Sequence, residues 1–441
     1  MRTAVALLVS ACSGAALLHG QHPAASPLPA TQAQAPAAPA PAAPAAPTAD
    51  ANGNPLRHAK TGHVSNYDEA RVAPYVLPDP LVMAGGKRVT TAAAWRNERR
   101  PEILRLYESD IFGRIPPKTP NVVWEVKATD PAARSGAALM KQVVGTVGSG
   151  PGALAINVTL YTPAKASGPV PVILLANFGG GGTPVRAGGG ASMGDPPVAA
   201  EILARGWGYA MVGYQDIQPD RANTLDQGII GLTSGAMQTP GPGQWGSIGA
   251  WAWGVSRVID YLATDKAVDA GQIALQGHSR LGKAALWASA QDDRIKVVYA
   301  SCSGEMGAAV SRRDWGESVD DMTQNFPWWF AEDFQKYAGH WSTLPVDAHM
   351  LIALSAPRPV FITGGTTDQW ADPVGMFLAE VAAGPVYRLL GKSDLGISQV
   401  PPPLDTPVIK GDLGWHYHTG GHAATPEDWK AFLSFAGKYL K

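Results

Sequence analysis

Cysteine is nearly missing from this 441-residue chain, which holds only Cys12 and Cys302. Two thiols cannot build a disulfide framework or a cysteine zinc site. Charge is scarce too: 16% of residues are charged, against roughly 25% in an average soluble domain. Neither sign dominates, with 35 basic residues against 36 acidic ones. That balance lacks the basic surface that binding to nucleic acid requires. Apolar runs of the roughly 18 residues needed to span a bilayer are absent as well, which excludes a polytopic membrane protein. What is plentiful is glycine (50) and tryptophan (14). The chain reads as a large, nearly neutral globular protein.

The start of the chain reads as an address. Met1–Gly14 carries one charge, Arg2, then a short apolar stretch that ends at Cys12. That shape suits an export signal. Val9-Ser10-Ala11-Cys12 also resembles a bacterial lipobox, in which the cysteine carries a lipid and becomes the mature N-terminus. Ordinary cleavage near Gly20 or Ala25 is the alternative. Residues 23–47 hold twelve alanines and eight prolines, and no charge falls between Arg2 and Asp50. Proline at that density blocks helix hydrogen bonding and keeps the chain extended. We expect an export segment over 1–21, a Pro/Ala-rich linker over 22–65 and one folded domain over 66–441, exported to the periplasm or cell surface.

Within that domain, short apolar runs alternate with helical patterns. Residues 122–127, 141–148 and 153–162 read as antiparallel strands at the N-terminal edge. Val170–Asn177, Tyr209–Tyr214, Gln272–Gly277, Ile295–Ala300, Arg358–Thr363 and Val386–Leu390 read as buried strands. Helices are expected over 248–264, 281–290 and 374–383, and from Pro426 onward. The pattern predicts an α/β fold with a mostly parallel sheet covered by helices on both faces. The stretches 183–197 and 218–244 are long and rich in glycine, as functional loops often are.

The most informative segment is Gly277-His278-Ser279-Arg280-Leu281-Gly282-Lys283, between a buried strand and a helix. It fits G-x-S-x-x-G, a variant of the G-x-S-x-G turn that presents a nucleophilic serine at a helix N-terminus in α/β-hydrolases. Leu281 stands where the second glycine is usual, and Gly282 follows. A serine before a helix also serves as an ordinary N-cap. The strand ahead, the helix behind and a histidine far downstream favour the nucleophile.

Together with Trp251-Ala-Trp253-Gly254, Asp260-Tyr-Leu and Asp265, the segment GHSRLGKAALW (277–287) resembles the glucuronoyl esterases, the carbohydrate esterases with a G-x-S-R-x-G-K signature. Trp315-Gly316-Glu317, Asn325-Phe-Pro-Trp-Trp-Phe, Ala356-Pro-Arg-Pro359, Thr367-Asp368-Gln-Trp370-Ala-Asp-Pro373 and a late Gly-x-His continue the resemblance. It covers roughly residues 70–441 and implies an α/β-hydrolase fold.

Ser279 would then attack an ester carbonyl and needs a base. The chain order Ser, acid, His puts that base late. His422, behind two glycines and ahead of the final helix, matches the family's catalytic histidine; His418 is the fallback, and His416, His418 and His422 as a metal site is the competing reading. The family's usual acid is a glutamate after the strand that follows the nucleophile. Cys302 occupies that slot, and a thiol cannot supply its charge. Asp368, after the next buried strand, takes the role in this reading, ahead of Glu305 and Asp372. The resemblance further implies that Arg280 helps hold the oxyanion, that Lys283 meets sugar hydroxyls, and that Glu317 and Trp370 contact the glucuronoyl ring.

The implied reaction is hydrolysis of esters between 4-O-methyl-glucuronic acid on xylan and lignin-type alcohols, by a monomer without metal or organic cofactor. Two other readings stand beside it. One is an acetyl-xylan or feruloyl esterase, which the paired cations Arg280 and Lys283 disfavour. The other is a glycan-binding surface lipoprotein without catalysis, which the vacant glutamate slot keeps open.

Overall fold

A computed structural model describes residues 48–179, 194–235 and 240–441. The export segment with Cys12, the linker up to residue 47 and positions 183–193 of the first glycine-rich stretch lie outside the described residues.

One nine-stranded sheet organises the domain. Its strands are β1 (Val122–Ala133), β2 (Ala138–Val147), β3 (Leu154–Pro163), β4 (Val170–Asn177), β5 (Gly208–Gly213), β6 (Val268–His278), β7 (Ile295–Ser301), β8 (Val360–Gly365) and β9 (Leu413–His418). Their order is β1-β2-β3-β5-β4-β6-β7-β8-β9. Pairs up to β3–β5 are antiparallel, and all pairs from β5–β4 to β8–β9 are parallel. β4 is buried at every position while β1 is largely exposed, as apolar content dictates for a central and an edge strand. Alternation sends Val172 and Leu174 into one core, with Trp251 and Trp287 from the helices Ser247–Leu262 and Arg280–Gln291. Ile173 and Leu175 face the other core, with Trp429, Phe432 and Phe435 from the helix Pro426–Ala436. Both faces are therefore covered, as expected.

Register lines up the strand ends that matter. His278 pairs with Ser301, Ser301 with Thr363, Thr363 with His416, and Gly365 with His418. The loops that leave β6, β7, β8 and β9 thus open side by side along one edge. In open parallel sheets that carboxyl edge is where sites form.

Three expectations need correction. Val386–Leu390 is not a strand but the end of the helix Pro373–Leu389, which runs through Pro385. Its Val386 and Tyr387 are fully buried, and a five-residue apolar run does not tell strand from helix. The last strand is instead β9, whose sequence LGWHYH carries His416 and His418 within it. Finally, chain order sets in before residue 66. Ala49 bridges Pro55 and His58 bridges Val64. Lys60 donates its backbone N–H to Gln324 (2.7 Å), and Gly316 donates to the Asn66 carbonyl (2.9 Å). The Pro/Ala composition ends at residue 47, and the polar residues after it supply these specific contacts. The second glycine-rich stretch, 218–244, also holds a short helix, Gly228–Ser234.

Candidate active site

β6 ends on His278 and a helix begins at Arg280, so one residue makes the turn. Ser279 has φ 57° and ψ −129°, a conformation that costs a non-glycine residue about 1–3 kcal/mol. Its neighbours must be small. A Cβ on Gly277 would lie 2.0 Å from the Leu281 carbonyl oxygen, and one on Gly282 would lie 2.8 Å from Ser303 Cβ. The helix passes closest to the β7 loop at position 282, which explains why the second glycine stands there and why Leu281 is buried instead. The Ser279 hydroxyl makes no capping bond, so the N-cap alternative does not describe it. The backbone is pinned from Ser279 N to Ser301 O and from Gly282 N to Ser279 O, both 2.8 Å.

His422 follows β9 through Thr419-Gly420-Gly421. Its Nδ1 lies 2.7 Å from Asp368 Oδ2, a short contact typical of a charge-assisted bond. The Asp368 side chain is 5% exposed and that of His422 43%, so the carboxylate is sheltered and the imidazole open to a ligand. The His422 ring packs at a tilt against that of His278, the residue before Ser279, at 4.6 Å between ring centroids. Burial, with the neighbouring His422, pushes His278 down to about 3. His278 is therefore a neutral neighbour of the His422 ring.

The other candidates face elsewhere. Glu305 is buried and accepts from the Ser311 hydroxyl (2.6 Å). Asp372 accepts from Gly375 N (2.8 Å), capping the helix Pro373–Leu389, and from Arg313 Nε (3.2 Å). His416 and His418 both direct Nδ1 at Asp428 (2.7 and 3.2 Å). The three late histidines thus serve two different carboxylates and converge on no single point. Cys302 is buried, with Sγ 3.5 Å from the Ala423 carbonyl, and burial together with the Asp368 charge pushes its thiol well up. Among the described residues, Cys302, Asp368 and His422 bring ligand-type atoms within 4.8 Å of one another.

Arg280 and Lys283 leave the first turn of the same helix in different directions. Arg280 pairs with Asp220, whose side chain is 2% exposed. Asp220 Oδ1 also accepts from the indoles of Trp328 (3.0 Å) and Trp329 (2.6 Å), and the guanidinium sits 4.9 Å from the Trp329 ring centroid. This cage fixes a cation against the unfavourable dipole of a helix start. Lys283 Nζ donates to the Ser303 carbonyl (2.7 Å) and lies 3.4 Å from Glu317 Oε2. Glu317 Oε1 accepts from Trp370 Nε1 (3.0 Å). Burial raises the Glu317 carboxyl above its usual range, with Lys283 opposing. The structure therefore gathers Lys283, Glu317 and Trp370 in one patch.

Sequence reasoning missed Asp220, which sits in a loop 60 residues before its partner, and gave Trp328 and Trp329 no role. It also placed Arg57 in the linker, whereas its guanidinium lies 5.4 Å from the Trp370 ring.

Comparison with known proteins places this geometry in context. A sequence family described as glucuronyl esterase, fungi, matches residues 241–391. A carbohydrate esterase of an unknown prokaryotic organism is 40% identical over 401 residues, covering 85% of this chain and 92% of that protein. A 4-O-methyl-glucuronoyl methylesterase of Podospora anserina is 28% identical over 337 residues, 74% of this chain and 62% of that protein. Among solved structures, a glucuronoyl esterase from Solibacter usitatus matches with TM-score 0.77 and 40% identity, over 83% of this chain and 99% of that one. One from Teredinibacter turnerae matches with TM-score 0.76 and 32% identity, over 87% and 95%.

Proposed function

The chain belongs to the glucuronoyl esterase family, and from that premise we propose that it is a serine esterase cleaving esters of 4-O-methyl-glucuronic acid on xylan. Ser279 Oγ attacks the ester carbonyl while His422 takes its proton. Asp368 accepts from His422 Nδ1–H, which leaves Nε2 free to take the proton, and it stabilises the imidazolium that forms. The tetrahedral oxyanion develops beside Arg280 and the start of its helix, where a fixed charge and backbone N–H groups oppose it. His422 then protonates the leaving alcohol, and water releases the glucuronate by the reverse path. Lys283, Glu317 and Trp370 hold the sugar, the first two through hydroxyl hydrogen bonds and the last through its apolar face.

The observation that carries this reading is the 2.7 Å bond from His422 to a buried carboxylate beside the Ser279 turn. A binding protein without catalysis has no use for a strained serine and a paired imidazole. An acetyl or feruloyl acyl group brings no sugar ring to the patch of Lys283, Glu317 and Trp370. The test is hydrolysis of benzyl glucuronate beside an acetyl ester, with wild type and Ser279→Ala. Preferential cleavage of the glucuronate by wild type alone supports the proposal; an active Ser279→Ala variant or a preferred acetyl ester refutes it. We place the enzyme outside the cytoplasm as a monomer, tethered through a lipid on Cys12. Mass spectrometry of the mature N-terminus checks the tether, and an unmodified start beyond Cys12 rules it out.

A further inference from the structure

His418 has no part in the chemistry above, yet it lies four residues before the base and both of its ring nitrogens are engaged. Nδ1 lies 3.0 Å from Asp428 Oδ2, and Nε2 lies 3.1 Å from the Gly421 carbonyl oxygen. Asp428 has no proton to offer: it receives His416 Nδ1 (2.7 Å), the Thr425 backbone N–H and the Thr425 hydroxyl (both 2.8 Å) on its two oxygens. The Gly421 carbonyl is an acceptor by nature. Both nitrogens of His418 therefore face lone pairs, and an imidazole satisfies two acceptors only when both nitrogens carry hydrogen. The Asp428 side chain is fully buried, and a buried carboxylate requires a compensating charge. His416 has one such contact with Asp428, through Nδ1, and one ring hydrogen is enough to meet it.

From this geometry we propose that His418 is a standing imidazolium that positions His422, pinning the Gly420–Gly421 turn to the C-terminal helix. The turn is held on its other side as well. Thr367 N donates to Gly420 O (2.8 Å) and Gly420 N donates to Thr366 Oγ1 (3.1 Å). No side chain fits at Gly365, where a Cβ would meet Gly421 O at 2.3 Å and His418 Nε2 at 2.7 Å. Of these ties, only the one through His418 depends on a proton.

Several groups face the ring electrostatically. Asp428 comes from the C-terminal helix and Asp368 from the loop after β8. Asp405 lies on the loop ahead of β9, and His278 on β6. His416, on β9 itself, is 6.5 Å away between ring centroids. Burial opposes the charge on His418, but the bond to Asp428 and the charge of Asp428 outweigh it and raise the group above the ordinary histidine range. A raised group of this kind holds its proton at neutral pH and lets go as pH climbs through the raised value. The pin is thus present at neutral pH and fails on the alkaline side.

The inference rests on His422 being the base, so its test has one arm that does not use activity. Full-length protein labelled with ¹⁵N-histidine is examined by long-range ¹⁵N–¹H correlation at pH 7.5, the His418 ring being identified by its contacts with Gly421 and Asp428. Two protonated nitrogens on His418 support the proposal; one unprotonated nitrogen overturns it, and neither result needs a variant to fold. The second arm follows kcat and KM for benzyl glucuronate from pH 6 to 10 in wild type and His418→Gln. We expect kcat to fall about 100-fold in the variant with KM little changed, and the alkaline decline of wild-type kcat to disappear. Wild-type kcat in a folded His418→Gln variant overturns the positioning role. Full activity in His422→Ala would instead remove the base assignment and leave the ¹⁵N result standing.

Discussion

Replacing Asp368 is the sharpest perturbation of the proposed mechanism, because the structure fixes what is lost. Asp368 Oδ2 is 2.7 Å from His422 Nδ1. When His422 accepts the serine proton, a full ion pair forms at that distance. Two unit charges about 4 Å apart interact by about 4 kcal/mol at an effective dielectric of 20, or about three powers of ten in rate. Exposure of the His422 ring lowers this figure by solvent screening. Loss of tautomer control acts in the same direction as the lost charge, and asparagine in a comparable triad lowers kcat about 10⁴-fold. We therefore expect Asp368→Asn and Asp368→Ala to lower kcat by about 10³- to 10⁴-fold, with KM much less affected and an unchanged circular dichroism spectrum. Steady-state hydrolysis of benzyl glucuronate measures it. A loss under tenfold in Asp368→Ala, or an equal loss in Glu305→Gln, would refute the assignment and return the role to another carboxylate.

Other expectations follow from the same contacts. Asp220→Ala removes the buried partner of Arg280 and two indole bonds, and should cost about 3 kcal/mol of stability in chemical denaturation while lowering kcat. Gly277→Ala should prevent folding or destabilise by well over 1 kcal/mol, because its Cβ meets backbone; Gly282→Ala should be milder, since its nearest contact is a serine side chain. Burial raises Glu317, so the native state holds that proton to higher pH than the unfolded chain and its stability falls as pH rises through the raised value. Glu317→Gln should then gain stability over wild type at neutral pH but not at acid pH, while KM for glucuronate esters rises; thermal melts at both pH values decide it.

Much of the architecture could be read from residue patterns alone. The apolar run of β4 and the apolar centres Ile273–Leu275 of β6 and Val297–Ala300 of β7 announce buried strands, and the glycines around Ser279 announce the turn. Asp368 was legible because it follows a buried strand next to the one that leads to Cys302. β9 was not, since LGWHYH mixes apolar and titratable residues: Leu413 and Trp415 join one core, while Asp428 of the C-terminal helix receives the histidines. The same apolar ambiguity turned the end of a helix into a strand at Val386–Leu390. Asp220 and Arg57 were illegible for a simpler reason. Contacts across 60 or 300 residues leave no local periodicity, and they become visible only when the chain has folded.

Ser303 touches both halves of the site: its Cβ bounds the space beside Gly282, and its carbonyl anchors Lys283. A change of backbone there would shift the nucleophile's helix and the sugar-facing ammonium together. Diversification of substrate preference is therefore costly on that side, where any gain in fit disturbs reactivity. Trp328 has greater freedom, since it is partly exposed and reaches the Arg280 cage only through its indole bond to Asp220. Directed evolution toward new alcohols or acyl groups should accumulate substitutions at Trp328 and leave both Asp220 and the Ser303 loop as they stand.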